Sequence, residues 1–247
     1  MISVIRKEIT SFFSSLTGYV VIAVYIIING MFMWILPGEW NIFDSGYASL
    51  DTFFIISPWV FLFLVPAVSM RMFAEERRSG TLELLVTRPL TVRDIVYGKY
   101  ISAVILVLLS LLPSLMYVIT ICILGETPCN LDRGGTAGAY IGLFLLASVY
   151  AAAGLFASAI TTNQVAAFII AVFAGFILYA GFDAIAMLPG LKAIDETIIS
   201  LGINEHYRSI SRGVIDLRDL LYFAVMALIF TEAARLQIVS RNWRKRK

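Results

Sequence analysis

The sequence predicts an all-α membrane protein with six transmembrane helices and both termini on the cytosolic side. Three observations carry this. Of 247 residues, 60% are hydrophobic and only 15% are charged, with a mean hydropathy of +0.86. A soluble domain of this size cannot hide that much apolar surface. Uncharged runs cover residues 17–38, 52–70, 100–125 and 134–182, where a helix needs roughly 20 apolar residues to cross a bilayer core. The last run is long enough for two crossings, and a weaker sixth begins near Leu220. The runs are continuous, whereas membrane strands alternate in segments of about 10 residues.

The third observation is the distribution of charge. Basic residues mark the cytosolic side of a membrane protein. With the N-terminus inside, fourteen Lys and Arg fall inside and five outside, while eleven of the 17 acids fall outside. The overall net charge of +2 thus divides into about +8 inside and −6 outside. The tail RNWRKRK fits plain topology and also suits anionic lipid headgroups. No nucleic-acid partner is expected.

Residues 1–16 place Ile2, Ile5, Ile9, Phe12, Phe13 and Leu16 on one stripe at helical spacing. This predicts an amphipathic helix lying in the inner interface. It runs straight into the first span, so no cleavable signal peptide is expected. Residues 17–247 form the transmembrane domain, with spans at about 18–36, 53–71, 98–124, 138–160, 164–187 and 218–239. Span 1 ends at Pro37-Gly38, with Trp34 and Trp40 suited to an outer aromatic belt. Span 2 contains Pro58 and Pro66 and span 3 contains Pro113, so kinks are expected, either static or at moving contacts. Spans 4 and 5 divide at the polar turn Thr161–Gln164. Span 4 is rich in Gly, Ala and Ser, including the pair Gly138 and Gly142, which favours close helix packing. Between spans 5 and 6 an outer connection carries a polar cluster from 201 to 223, read as short re-entrant helices.

Catalytic chemistry is thin. There is no P-loop, no G-x-S-x-G and no H-E-x-x-H, so the chain is not expected to hydrolyse ATP. His206 is the only histidine, and Cys122 and Cys129 have no metal-site spacing. Cys122 is expected to pack within span 3 rather than to form a disulfide. No metal or cofactor is expected on this chain.

The informative stretch is FAEERRSGTLELLVTRPLTVRDIVYGKY, residues 73–100. Up to Gly80 it continues span 2 as a helix with Arg77 and Arg78 near its C-terminal end, where cations suit the helix dipole. After Gly80, Thr81 can cap a short helix that Pro89 stops. Leu82, Leu84, Leu85 and Val86 cannot all face water, and with Glu83 among them they suit a protein groove; a solvated hairpin is the other reading. Thr91-x-x-Asp94 then has the form of a capping box leading into span 3.

EERRSGTLELLVTRPLTVRDIVYGKY resembles the signature of ABC-2 exporter permeases at Glu76, Gly80, Thr81, Glu83, Leu85, Pro89, Ile95, Gly98 and Lys99. The resemblance implies a coupling helix that docks on a separate cytosolic ABC ATPase, which would bind ATP-Mg. The coupling residues it implies are Glu75, Glu76, Arg77, Gly80, Thr81, Leu82, Glu83, Leu84, Leu85 and Pro89. A narrower resemblance, over KEITSFFSSLTGYVVIAVYIIINGMFMW (7–34), WNIFDSGYASLDTFF (40–54), PWVFLFLVPAVSMRMFAEE (58–76) and SLGINEHYRSISRGVIDLRDLLYF (200–223), is to the gliding-motility-associated ABC transporter permeases of Bacteroidetes. The chain departs from that group at Leu16-Thr17, where proline is common. This resemblance implies a bacterial inner-membrane location and a second permease subunit, either the same chain or an auxiliary one with a large periplasmic region. Spans 1, 2 and 5 would meet at the shared interface. Two functions follow: a permease subunit that couples ATP hydrolysis to export or to mechanical work, and a non-transporting scaffold acting on an extracytoplasmic partner. In the second, Glu205, His206, Tyr207, Arg208, Arg212 and Asp216 would be the contact surface.

Overall fold

A computed structural model describes residues 1–81, 91–125, 131–188 and 194–244. Every regular element among them is helical. We label them α1 (Ile2–Phe13), α2 (Leu16–Ile35), α3 (Ile42–Ser45), α4 (Asp51–Arg78), α5 (Val92–Leu124), α6 (Arg133–Ile160), α7 (Gln164–Ala186), α8 (Asp195–Ile199), α9 (Ile203–Ser211) and α10 (Leu217–Arg244). Six of these, α2, α4, α5, α6, α7 and α10, are long and apolar enough to cross a membrane. They are spans 1 to 6 in order.

Span 4 lies at the centre and packs against spans 2, 3, 5 and 6 and against α9. Its sequence explains why. Ala147, Ala151, Ala152, Ala153 and Ala157 are all buried, and small side chains let four helices approach one. At Gly154 the approach is closest: a Cβ there would lie 1.9 Å from Ser69 Oγ on span 2. Gly138 and Gly142 are also covered from within the chain, by Ile210 and Tyr207 of α9.

The prolines act locally. Pro113 sits in a 3₁₀ turn, Leu112–Ser114, inside span 3. In span 2 the α-helix ends at Ser69 and resumes at Arg71, so the break at Met70 falls one turn after Pro66. Span 1 is tied to span 2 by a buried polar trio. Ser57 Oγ donates to Asn29 Oδ1 at 3.1 Å and contacts Tyr25 OH at 3.0 Å. Periodicity carries no sign of that trio.

Helix α1 turns part of its predicted apolar stripe inward. Phe12 is buried with Ile9 and Phe13 packed around it, while Ile2 and Leu16 at the two ends of the stripe are both 79% exposed. Val4, outside the stripe, is also buried and packs against Gly98 of span 3. Cys122 is disulfide-bonded, which corrects the expectation that it merely packs. The chain's other cysteine, Cys129, lies outside the described residues.

Candidate coupling site

The legs that flank residues 82–90 meet at one buried cation. Lys99, on span 3, is 0% exposed. Its ammonium donates to Glu8 Oε1 at 2.7 Å and to the Met72 carbonyl at 2.6 Å, and lies 2.9 Å from Glu76 Oε1. Three acceptors match the three N–H groups of a lysine. The Phe73 ring adds a face 5.2 Å from Nζ. Glu76 Oε1 also accepts from Lys7 at 2.6 Å. Two cations and two carboxylates therefore form a neutral junction of α1, span 2 and span 3. A buried charge is tolerable only when paired in this way. Glu76 Oε2 is buried and has no partner among the described residues.

Lys7 is the solvent-facing member, with its side chain 54% exposed. Partial burial disfavours its charge, but the hydrogen bond to Glu76 and the Glu76 and Glu8 charges prevail. Its pKa rises above the ordinary 10.5.

Span 4 holds the C-terminal end of span 2 through two residues. Ser158 Oγ accepts from the N–H groups of Phe73 and Ala74, both at 2.9 Å, and donates to the Met70 carbonyl at 2.8 Å. One hydroxyl thus satisfies backbone groups that the break at Met70 sets free. Arg77 Nη1 donates to the carbonyl of Ala159, in the last turn of span 4. Such carbonyls have no helical partner, so a guanidinium suits them in hydrogen bonding and in dipole. Glu75 is exposed.

Beyond Arg78 the helix stops at Gly80, which has φ +72°. The left-handed region is open to glycine at little steric cost. Thr81 lies 2.9 Å from Ser79 Oγ and donates to the Glu76 carbonyl at 3.4 Å. Leu82, Glu83, Leu84, Leu85 and Pro89 lie outside the described residues. The chain re-enters description at Thr91, where the capping box forms as its spacing predicts. Asp94 N donates to Thr91 Oγ1 and Thr91 N donates to Asp94 Oδ2, both at 3.2 Å. Span 3 then meets span 6, where Tyr97 OH donates to Glu232 Oε1 at 2.7 Å and Arg235 pairs with the same carboxylate at 2.5 Å.

At the opposite end, the outer residues singled out from the sequence face in different directions. Tyr207 is buried and donates to the Phe54 carbonyl at 2.7 Å. Burial pushes its phenol well above the ordinary 10.0, so it remains a donor. His206 turns to Asp219 of span 6, at 2.7 Å. Glu205, Arg208, Arg212 and Asp216 are exposed. Asp51, Trp59, Tyr179, Asp183, Tyr207 and Arg208 help line an outer pocket of about 440 Å³. Glu8, Lys7 and Asp219 were not singled out as site residues from the sequence. Lys99 stood out only as a basic residue at a span edge and through its match to the permease signature.

Six apolar helices around a small-residue central span, with a buried ionic junction at one end and short helices at the other, make this a multi-pass membrane protein. The family model for the ABC-2 family transporter protein matches residues 3–230, and the chain belongs to that family. This family is the membrane component of an ABC transporter rather than its ATPase, so membership implies partnership with a cytosolic ABC ATPase. Among curated proteins no significant match was found.

Proposed function

We propose that this chain is a permease subunit in a bacterial inner membrane that passes motion from its ATPase into α1, span 2 and span 3 as one body. The observation that carries the proposal is the Lys99 junction. Residues 82–90 connect span 2 to span 3, and Lys99 locks both flanks to each other and to α1. A push on Leu82–Pro89 would therefore reach three elements together. Glu75, Glu76, Arg77, Gly80, Thr81 and Glu83 belong to this coupling segment, and ATP-Mg stays on the partner. The charge asymmetry and the disulfide-bonded Cys122 at the arginine-poor end support termini that lie inside. The exposed Ile2 of α1 and Leu16 just beyond it support α1 lying in the inner interface.

The test is ATPase stimulation in nanodiscs. Glu83→Lys is expected to abolish association with the ATPase. Lys99→Met is expected to leave association intact but to uncouple turnover from the permease. If both variants stimulate as the wild type does, the coupling assignment is wrong.

A second reading is favoured by the exposed charges of α9, Glu205 and Arg208, with Arg212 and Asp216 beyond it. In it the chain is a scaffold that drives an extracytoplasmic partner; the narrower resemblance implies an auxiliary subunit in a gliding apparatus. Crosslinks from Glu205→Cys to a periplasmic domain would favour the scaffold. A cargo recovered between two permease subunits would favour transport.

A further inference from the structure

The outer helices carry a titratable group that the coupling role leaves unused. His206 has its side chain 17% exposed. Its Nδ1 lies 2.7 Å from Asp219 Oδ1 and its Nε2 lies 3.0 Å from the Ser200 carbonyl oxygen. The ring stacks on Tyr222 with centroids 3.9 Å apart and planes 23° apart. Tyr222 OH in turn donates to the Leu201 carbonyl at 2.6 Å. Both partners of the imidazole are thus acceptors. A neutral imidazole has one N–H and fills one such bond; the imidazolium fills both. The Asp219 side chain is only 9% exposed, and its buried Oδ2 has no partner among the described residues. Among the described residues, the ring is the only cation that meets this carboxylate.

We propose that His206 is a proton-binding site, and that the protonated ring clamps α9 to the start of span 6. Proton loss breaks one of the two hydrogen bonds and leaves the Asp219 carboxylate facing a neutral ring. Histidine is the side chain suited to such exchange near neutral pH. The other charged groups on the surrounding elements do not substitute for the ring. Asp183 of span 5 accepts from Asn204, and Asp216 accepts from the Arg218 N–H. Among the described residues, Arg133 of span 4, Tyr179 of span 5, Asp195 and Glu196 of α8, and Glu205 and Arg208 of α9 form no ion pair with His206 or Asp219. The consequence reaches the outer pocket, because Tyr207 and Arg208 on α9 form part of its wall. Protonation tightens the hold of that wall on span 6, and proton loss weakens it. This inference stands apart from ATPase coupling.

One histidine per chain makes the test unambiguous. The chain is labelled with ¹⁵N-histidine, placed in nanodiscs and followed by NMR between about pH 5 and 8. In the wild type, both ring nitrogens carry protons at the acid end. At a fixed pH, Asp219→Asn is expected to lower the ratio of imidazolium to neutral ring. Hydrogen exchange of residues 203–211, corrected for intrinsic rates, is expected to speed up as the ring loses its proton, and to lose that step in His206→Gln. A wild-type ring with a single proton throughout, an unchanged ratio in Asp219→Asn, or the same exchange step in His206→Gln overturns the proposal. If Asp219→Asn fails to fold, the wild-type spectrum and the His206→Gln comparison still decide.

Discussion

Lys99 and Glu8 lie 91 positions apart in the chain, yet their side chains meet at 2.7 Å in a nearly dry junction. The contact fixes an amphipathic N-terminal helix to the third span. Removing one partner from a buried ion pair costs about 3–5 kcal/mol, because it strands the other charge. Lys99 keeps Glu76 and the Met72 carbonyl when Glu8 is removed, so Glu8→Ala is expected to cost less than that, about 1.5–3 kcal/mol for the lost charged hydrogen bond. Glu8→Ala combined with Lys99→Met should cost less than the two changes summed. Thermal unfolding in detergent of the two single variants and the double variant measures this coupling.

Lys7 allows a pH test of the same junction. Its pKa is raised in the folded chain above 10.5, so its contribution is complete below that value and is lost as pH rises through the higher folded value. Between neutrality and about pH 10, stability in Lys7→Met should run parallel to the wild type. At more alkaline pH the wild type should fall more steeply than the variant. Parallel curves throughout would show that the Lys7–Glu76 bond adds nothing.

The approach of span 4 to span 2 leaves no room at Gly154. An alanine there places its Cβ 1.9 Å from Ser69 Oγ and 2.9 Å from Ser69 Cβ. Overpacking of this kind costs about 1–3 kcal/mol. Gly154→Ala is expected to lose that much, and Ser69→Gly in the same chain should recover most of it. A double-mutant cycle on melting temperature tests the pairing.

Ser158→Ala removes the partner of three backbone groups at once. Each buried polar group left unpaired costs about 1–3 kcal/mol. The local signature should be clear: exchange of the Phe73 and Ala74 amides speeds up in the variant, while amides in span 6 keep their protection.

Gly80 has φ +72°, which an alanine adopts at a cost of about 1–2 kcal/mol. Gly80→Asn should be tolerated better than Gly80→Ala, since asparagine visits that region. ATPase stimulation ranked glycine, asparagine, alanine, proline would tie the turn to coupling. An unchanged rate across the series would separate the turn from function.

Much of this architecture was legible in the sequence because hydrophobicity acts locally. Continuous apolar runs mark the six spans, and Thr91 and Asp94 announce their capping box at a fixed spacing. The small residues of span 4 pointed to close packing, though not to its place at the centre. What stayed hidden depends on chain-distant partners. Lys99 read as one more cytosolic charge, since nothing near it in sequence shows that Glu8 and Glu76 converge on it. The inward side of α1 includes Ile9, Phe12 and Phe13 of the apolar stripe, but also Val4 and Glu8, which the stripe does not mark. The pairing of His206 with Asp219 was hidden in the same way, because it needs the fold of α9 onto span 6.

The Ser158 contact has a mechanical meaning. A single oxygen atom holds both the carbonyl before the break in span 2 and the amides just after it. An attachment at one atom resists sliding and pulling apart but allows swivel. Arg77, bonded to the Ala159 carbonyl, adds a second point of attachment that stops the swivel. With two points held, a thrust delivered beyond Arg78 would move the ends of span 2 and span 4 together rather than turn one about the other.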